Sequence, residues 1–288
     1  MNENNSRIII LGAHYDSRAK ATRDSDLLKR NDPVPGANDG ASGSAVLIEL
    51  AKAFYEVKDN LSCQIWFLFF DAEDQGSDNA YGIDGWDWCE GSTAFVSEID
   101  NYYNSTVENF ESMILFDMVG GTNLQFINEQ YSTSSLLDEI FAIGRSLGFT
   151  AQFPSNPISR SIVDDHRAFL NIGIPSADLI INFWDNPNWP YHHTTHDDSS
   201  NIANISLDIT GKTIEQFVYN NYFNTTTETY KGNYPWIVDI DRAFVETIMY
   251  LIIIIASGGI IVIILNIVKQ KRLNVKNKLK IGFFPSFG

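Results

Sequence analysis

The chain has 288 residues, 44% of them hydrophobic, which is enough for one large domain with a full core and excludes a disordered polypeptide. Its formal net charge of −16 repels phosphate backbones, so nucleic acid is not an expected partner. The charge is unevenly placed: Lys269, Lys271, Arg272, Lys276, Lys278 and Lys280 follow position 268 with no acidic residue among them, so all 36 acidic residues lie before them.

Arg7 to Ala13 (RIIILGA) is a continuous apolar run, the pattern of a strand buried on both faces of a parallel sheet. A polar loop, Ser17 to Pro35, precedes a helix over Gly40 to Val57, with apolar residues at Val46, Leu47, Leu50, Ala53 and Phe54. Gln64 to Phe70 reads as a second buried strand, followed by a loop rich in Gly, Asp and Trp from Gln75 to Gly91. Strands are further expected at Met113 to Phe116 and Ala177 to Ile181, and helices at Ser135 to Leu147 and Leu207 to Tyr222. Strands alternating with helices imply an α/β fold, with a mixed, mainly parallel sheet covered by helices on both faces.

Ile248 to Val268 is uncharged and long enough to cross a hydrocarbon core of about 30 Å as a helix. The expected organisation is a domain over 1–232, a juxtamembrane segment over 233–247, a transmembrane helix over 248–268 and a basic tail over 269–288. The positive-inside rule puts that tail in the cytoplasm and the domain outside. Asn-x-Ser/Thr sequons at Asn4, Asn60, Asn104, Asn204 and Asn224 fit an exported chain. The first strand begins almost at Met1 with no export signal before it, so an upstream segment is expected. Cys63 and Cys89 fall in the part expected outside, where a disulfide would persist; two cysteines do not fix a pairing.

All five histidines fall in three carboxylate-bearing segments: GAHYDS with His14, VDDHRAF with His166, and PYHHTTHDDSSN with His192, His193 and His196. Imidazole with carboxylate is the ligand chemistry of hydrolytic zinc sites. His14 and Asp16 close the first strand, Glu73 and Asp74 the second and Asp117 the third, and open α/β sheets bind ligands at the carboxyl ends of their strands.

Six segments, GAHYDS, PGANDGASGSA, FFDAEDQG, ILFDMVG, DDHRAFLNIGIPS and HTTHDDSSN, resemble in content and order the zinc aminopeptidase family that includes bacterial leucyl aminopeptidases, glutamate carboxypeptidase II and, more distantly, glutaminyl cyclases. The resemblance covers roughly residues 7 to 220. It implies a zinc exopeptidase-like fold and two zinc ions bridged by Asp39, one also held by His14 and Asp117, the other by Asp74 and His193. It implies Asp16 as the carboxylate behind His14, Glu73 as general base toward the zinc-activated water, and Asp165 and His166 as residues that shape the site without holding metal. His192 and His196 would line the mouth of the cleft. Trp86, Trp88, Trp184 and Trp189 would offer an apolar pocket. The family's usual Glu-Glu pair is Glu73-Asp74 here, one methylene shorter at the metal.

The expected function is removal of N-terminal residues from peptides with a free N-terminus by a membrane-anchored two-zinc aminopeptidase. One rival is a glutaminyl cyclase, which closes N-terminal glutamine to pyroglutamate on a single zinc; the DDHRAFLNIGIP and HTTHDDSSN segments are similar to that branch, while NDGASG resembles the aminopeptidases. The other is a non-catalytic ectodomain, against which all five ligand positions hold competent residues.

Overall fold

The computed structural model describes residues 5–77, 82–183, 186–187 and 189–223. Its strands are β1 (Arg7–His14), β2 (Gln64–Phe70), β3 (Asn109–Asp117), β4 (Asn128–Glu129), β5 (Ser159–Arg160) and β6 (Ser176–Ile180). Its α-helices are α1 (Ala41–Glu56), α2 (Glu90–Ser97), α3 (Ser134–Ser146), α4 (His166–Asn171) and α5 (Asn204–Tyr222). The main sheet has the order β2-β1-β3-β6, and β4 pairs with β5.

The fold is α/β as expected, but the sheet is not mixed: among the described residues every pairing between these strands is parallel, and antiparallel contact is confined to isolated bridges such as Phe126 with Ile181. A parallel sheet must be covered on both faces, and the period-2 alternation of β1 shows how. Ile9, Leu11 and Ala13 pack with the apolar residues of α1, α3 and α5. Ile10, with Met113 and Leu115 of β3, packs on the opposite face against Phe169 of α4 and against Phe95 and Val96 of α2. The structure adds α2 and α4 to the expected helices; both are short, and neither has the apolar repeat that marks α1.

This layering sets the position of any ligand. From β1 the chain passes through α1 on one face to β2, then through α2 on the other face to β3 on the far side of β1. The strand order therefore reverses between β1 and β3, and the crevice beyond their carboxyl ends is the topological switch point. Register keeps those ends level: Gly12 pairs with Leu115, His14 with Phe70, and Asp117 with Ile180.

Among the described residues no helix is long and apolar enough to cross a membrane. The segments 233–247, 248–268 and 269–288, and Trp184, lie outside the described residues. Cys63 and Cys89 are free and buried. Burial pushes the Cys63 thiol up to about 12, and burial together with the Glu73 charge pushes Cys89 further up.

Two outcomes follow. Phe116, fully buried in β3, is expected to cost about 3–5 kcal/mol when truncated to Ala, read from the denaturation midpoint. Since the thiolate is the reactive form, neither cysteine should react with a thiol reagent at pH 8 until denaturant is added.

Candidate metal centre

Two strand ends and three loops deliver side chains to the switch point. His14 is the last residue of β1 and Asp117 the last of β3; Glu73 and Asp74 follow β2; Asp39 stands two residues before α1; His193 lies in the loop leading to α5. None of these six is more than 7% exposed. Asp39 joins two groups. Its Oδ1 is 3.3 Å from His14 Nε2, which is also 3.0 Å from Asp117 Oδ1. Its Oδ2 is 3.5 Å from His193 Nε2, which is also 2.9 Å from Asp74 Oδ1. The structure thus brings together all five residues expected to bind metal.

The residues present fit a divalent ion. Asp39 Oδ2 and Asp74 Oδ2 are buried without a hydrogen-bond partner, a costly state that a cation relieves, and imidazole with carboxylate is a zinc-type donor set. Electrostatics points the same way. Burial and the charge of Asp74 push Asp39 up to about 6, and the same two causes push Glu73 well above the carboxylate range. Burial also works to raise Asp74, but the His193 charge and hydrogen bond outweigh it and hold Asp74 at about 2. Burial likewise opposes charge on His14, yet bonds to Asp117, Asp16 and Asp39 lift it well above its ordinary value. A cation among these groups supplies the positive charge that protons otherwise must.

Side chains outside this set hold it in place. Asp16 does more than face His14 Nδ1 at 3.4 Å: its Oδ1 accepts from Glu73 N and its Oδ2 from Asp74 N and Gln75 Nε2, which pins the turn after β2. It positions rather than reacts. Asp197, not singled out by sequence, accepts from Asn38 N at 2.8 Å and Asp39 N at 3.0 Å, aiming the shared carboxylate. Arg18, 1% exposed, donates from Nη1 to Asp74 O at 2.6 Å and lies 4.6 Å from the Trp88 ring, which in turn stacks parallel to His193. Cys89 Sγ donates to Glu73 Oε1 at 3.3 Å.

The backbone is strained at the same place. Among the described residues, four of the five non-glycine residues with positive φ are Ala72 before Glu73, Met118 after Asp117, Cys89 against Glu73, and His193 itself. Such conformations persist only where surroundings over-determine them, and they gather at functional sites. A Cβ on Gly40 would lie 2.5 Å from the His14 ring, so only glycine lets the Asp39 loop approach so closely.

A cavity of about 320 Å³ opens on this centre. Asp39, Glu73, Asp74, Asp117, His192 and His193 form its polar wall, joined by Asp164; Trp88, Met118, Ile162, Ile180 and Phe183 form its apolar wall. Of the tryptophans expected to shape a pocket, Trp88 does so. Trp86 is 41% exposed and outside the lining, and Trp189 is fully buried against Gly121. His192 lines the cavity with Nε2 3.8 Å from Asp39 Oδ2, while His196 is exposed and does not. Asp165 and His166 are fully buried and outside the lining.

The model of peptidase family M28 matches residues 1–218. The chain belongs to peptidase family M28. Curated relatives in the family differ in activity. Aminopeptidase YwaD of Bacillus subtilis is 26% identical over 218 residues, 74% of this chain and 40% of the relative. The glutaminyl-peptide cyclotransferase of Bothrops jararaca is 25% identical over 238 residues, 74% of this chain and 61% of the relative. The chain thus spans less than two thirds of either relative's length.

Solved structures divide in the same way. A Zn-dependent exopeptidase of Parabacteroides distasonis aligns with a TM-score of 0.68 at 30% identity, covering 77% of this chain and 76% of that one. A Bacteroides thetaiotaomicron glutaminyl cyclase bound to N-acetylhistamine aligns at 0.67 and 30%, covering 76% and 75%. The zinc exopeptidase-like fold and the zinc chemistry expected from the sequence are those of this M28 family.

Outer partners that aim a metal ligand typically contribute 10- to 100-fold in affinity. Asp197→Asn, which turns one acceptor into a donor facing a backbone N–H, is therefore expected to weaken zinc binding by about that factor in calorimetry, with circular dichroism unchanged.

Proposed function

We propose that the domain is a glutaminyl cyclase, closing N-terminal glutamine of a peptide to pyroglutamate with release of ammonia, and that it holds one zinc ion through Asp39, Asp74 and His193. The observation that carries this reading is the distribution of unpartnered atoms. In the centre they are Asp39 Oδ2 and Asp74 Oδ2, both oxygens of the His193 group. His14, in contrast, has both ring nitrogens engaged by carboxylates, Nδ1 by Asp16 and Nε2 by Asp117 and Asp39. One cation completes the first group, whereas in the second both ring nitrogens of His14 are already engaged.

The chemistry suits the cavity. A volume of about 320 Å³ is small for a ligand site and takes one side chain folded back toward its own amine. Its apolar wall meets the glutamine methylenes, and its carboxylates meet the amine. When bound, zinc supplies Lewis acidity toward the side-chain carbonyl. In the ring closure the α-nitrogen bonds to the side-chain carboxamide carbon and the bond from that carbon to the amide nitrogen breaks. One proton leaves the amine and one reaches the departing ammonia, with no water consumed. Glu73, buried beside Asp74 in the cavity wall, is the group to carry that proton. Cys89 and Asp16 hold its side chain and its backbone.

A second reading has its own observation. His14, Asp39 and Asp117 offer ligand atoms within 4.8 Å of one another, so a second ion has competent donors there. Filled on both sides of Asp39, the site is the two-zinc aminopeptidase expected from sequence, with Glu73 as base toward water. In either reading the substrate is a peptide with a free N-terminus. The domain stands outside the membrane, anchored by residues 248–268 with the tail 269–288 in the cytoplasm. Protease added to sealed, right-side-out vesicles is then expected to remove the domain and spare the tail.

The reaction is read by mass spectrometry of zinc-loaded protein with peptides beginning in Gln, Leu, Lys and Glu. Loss of ammonia from the Gln peptide alone is the expected result, and stepwise shortening of the Leu peptide would replace the cyclase with the aminopeptidase. Glu73→Gln is expected to lower kcat about 10²- to 10⁴-fold with zinc content unchanged.

A further inference from the structure

Behind the pocket wall lies a second cluster, drawn from two parts of the chain. Asp164 precedes α4, His166 is the first residue of α4, and Asp178 is in the middle of β6. All three are buried, at 1%, 0% and 0% exposure. Asp164 Oδ2, His166 Nδ1 and both carboxylate oxygens of Asp178 meet no donor from the rest of the protein, and the Asp164 and Asp178 carboxyls lie within hydrogen-bond reach of each other. Each of the three residues offers one ligand atom within 4.8 Å of the others.

The surroundings fix what these atoms present. Glu129 Oε2 accepts from Ser132 N at 2.7 Å and Ser132 Oγ at 3.0 Å, and Oε1 accepts from Ile162 N at 3.0 Å, so Glu129 acts as a carboxylate acceptor. His166 Nε2, 3.1 Å from that same Oε2, is then its donor. The other ring nitrogen, Nδ1, is left with a lone pair. Asp164 Oδ1 is taken by Asp165 N at 2.6 Å, which leaves Oδ2 to face the cluster. One imidazole lone pair and carboxylate oxygens converging in a dry interior repel one another; a proton shared by the two carboxyls relieves part of this, and a cation among all three groups relieves all of it.

We propose that Asp164, His166 and Asp178 form a structural site for a divalent transition-metal ion, which adjoins the catalytic pocket through Asp164. The donor set, one imidazole and two carboxylates, is of the kind that takes zinc or manganese rather than calcium. Donors around zinc at about 2.0–2.2 Å lie roughly 3–4 Å apart, within the observed spread. Glu129 stands behind His166 as carboxylates do behind metal-bound imidazoles, fixing tautomer and ring orientation. Ser132 Oγ also accepts from Asp178 N at 3.0 Å, so one serine braces both sides of the site. The site shares no residue with His14, Asp39, Asp74, Asp117 and His193. It ties β6 and α4 to the loop that brings Asp164 into the pocket wall, and it does not depend on which reaction the pocket catalyses.

The full chain is stripped with a chelator, reloaded with zinc, freed of excess by gel filtration, and its zinc counted by inductively coupled plasma mass spectrometry. Asp178→Asn and His166→Asn are each expected to hold one equivalent less than wild type; equal content in wild type and a folded variant overturns the proposal. Should neither variant fold, anomalous diffraction at the zinc edge from wild-type crystals decides. A peak among Asp164, His166 and Asp178 supports the site. A peak at His193 with none at this cluster means that protons satisfy these atoms and no ion does.

Discussion

Crowding of like charge at the carboxyl ends of β1 and β3 is the constraint from which the rest of the centre follows. Asp39, Glu73, Asp74, Asp117 and Asp164 line one cavity against His192 and His193. Carboxylates packed so closely in a dry interior cannot all stay ionised. Asp74 remains at about 2 because His193 touches it, whereas burial and neighbouring charge drive Glu73 and Asp164 well upward. Removing the imidazoles or withholding a cation would leave uncompensated buried charge, the costliest defect a core can carry. Under the proposed function, the donors for a cation and the proton carrier Glu73 share one crevice for one reason: the burial that favours a cation also raises Glu73.

Holding such groups together takes structure that gains nothing from it locally. Asp16 and Asp197 spend their carboxylates on backbone N–H groups at the turn after β2 and at the loop before α1. Arg18, Trp88 and His193 form a stack from a buried guanidinium to an imidazole of the candidate metal centre. Left-handed backbone at Ala72, Cys89, Met118 and His193 costs roughly 1–3 kcal/mol at each position. The parallel sheet, with its two apolar layers, is what can bear that load: β1 from Ile8 to Leu11 is fully buried and cannot shift to relax its end.

Much of this was legible in the sequence, for reasons that differ by element. β2 spans Gln64–Phe70, the bounds of the run itself, but it is the edge strand of the sheet and not buried on both faces as its composition suggested: Trp66, Phe67 and Leu68 are half-buried and Phe69 is exposed. β3 begins at Asn109, earlier than Met113, because its first four residues are exposed Asn109, half-buried Phe110 and Glu111, and buried Ser112, with Phe110 the single apolar residue among them. α2 (EGSTAFVS) and the six-residue α4 are too short for periodicity, and tertiary packing decides them. That His14, Asp39, Asp74, Asp117 and His193 gather in one place was legible through ordered motifs and their place at strand ends. The residues that aim them were not: Asp197 meets Asn38 across 159 positions and Arg18 meets Asp74 across 56, pairings that exist only once the sheet has formed.

Turnover of a Gln-initiated peptide in water enriched in the heavy oxygen isotope separates ring closure from hydrolysis at the level of atoms. Cyclisation on the Asp39–Asp74–His193 centre predicts a pyroglutamyl peptide and free ammonia with no heavy oxygen in the product. Release of free glutamine carrying heavy oxygen in its carboxylate would contradict it, and would show that Glu73 activates water rather than the substrate's own amine.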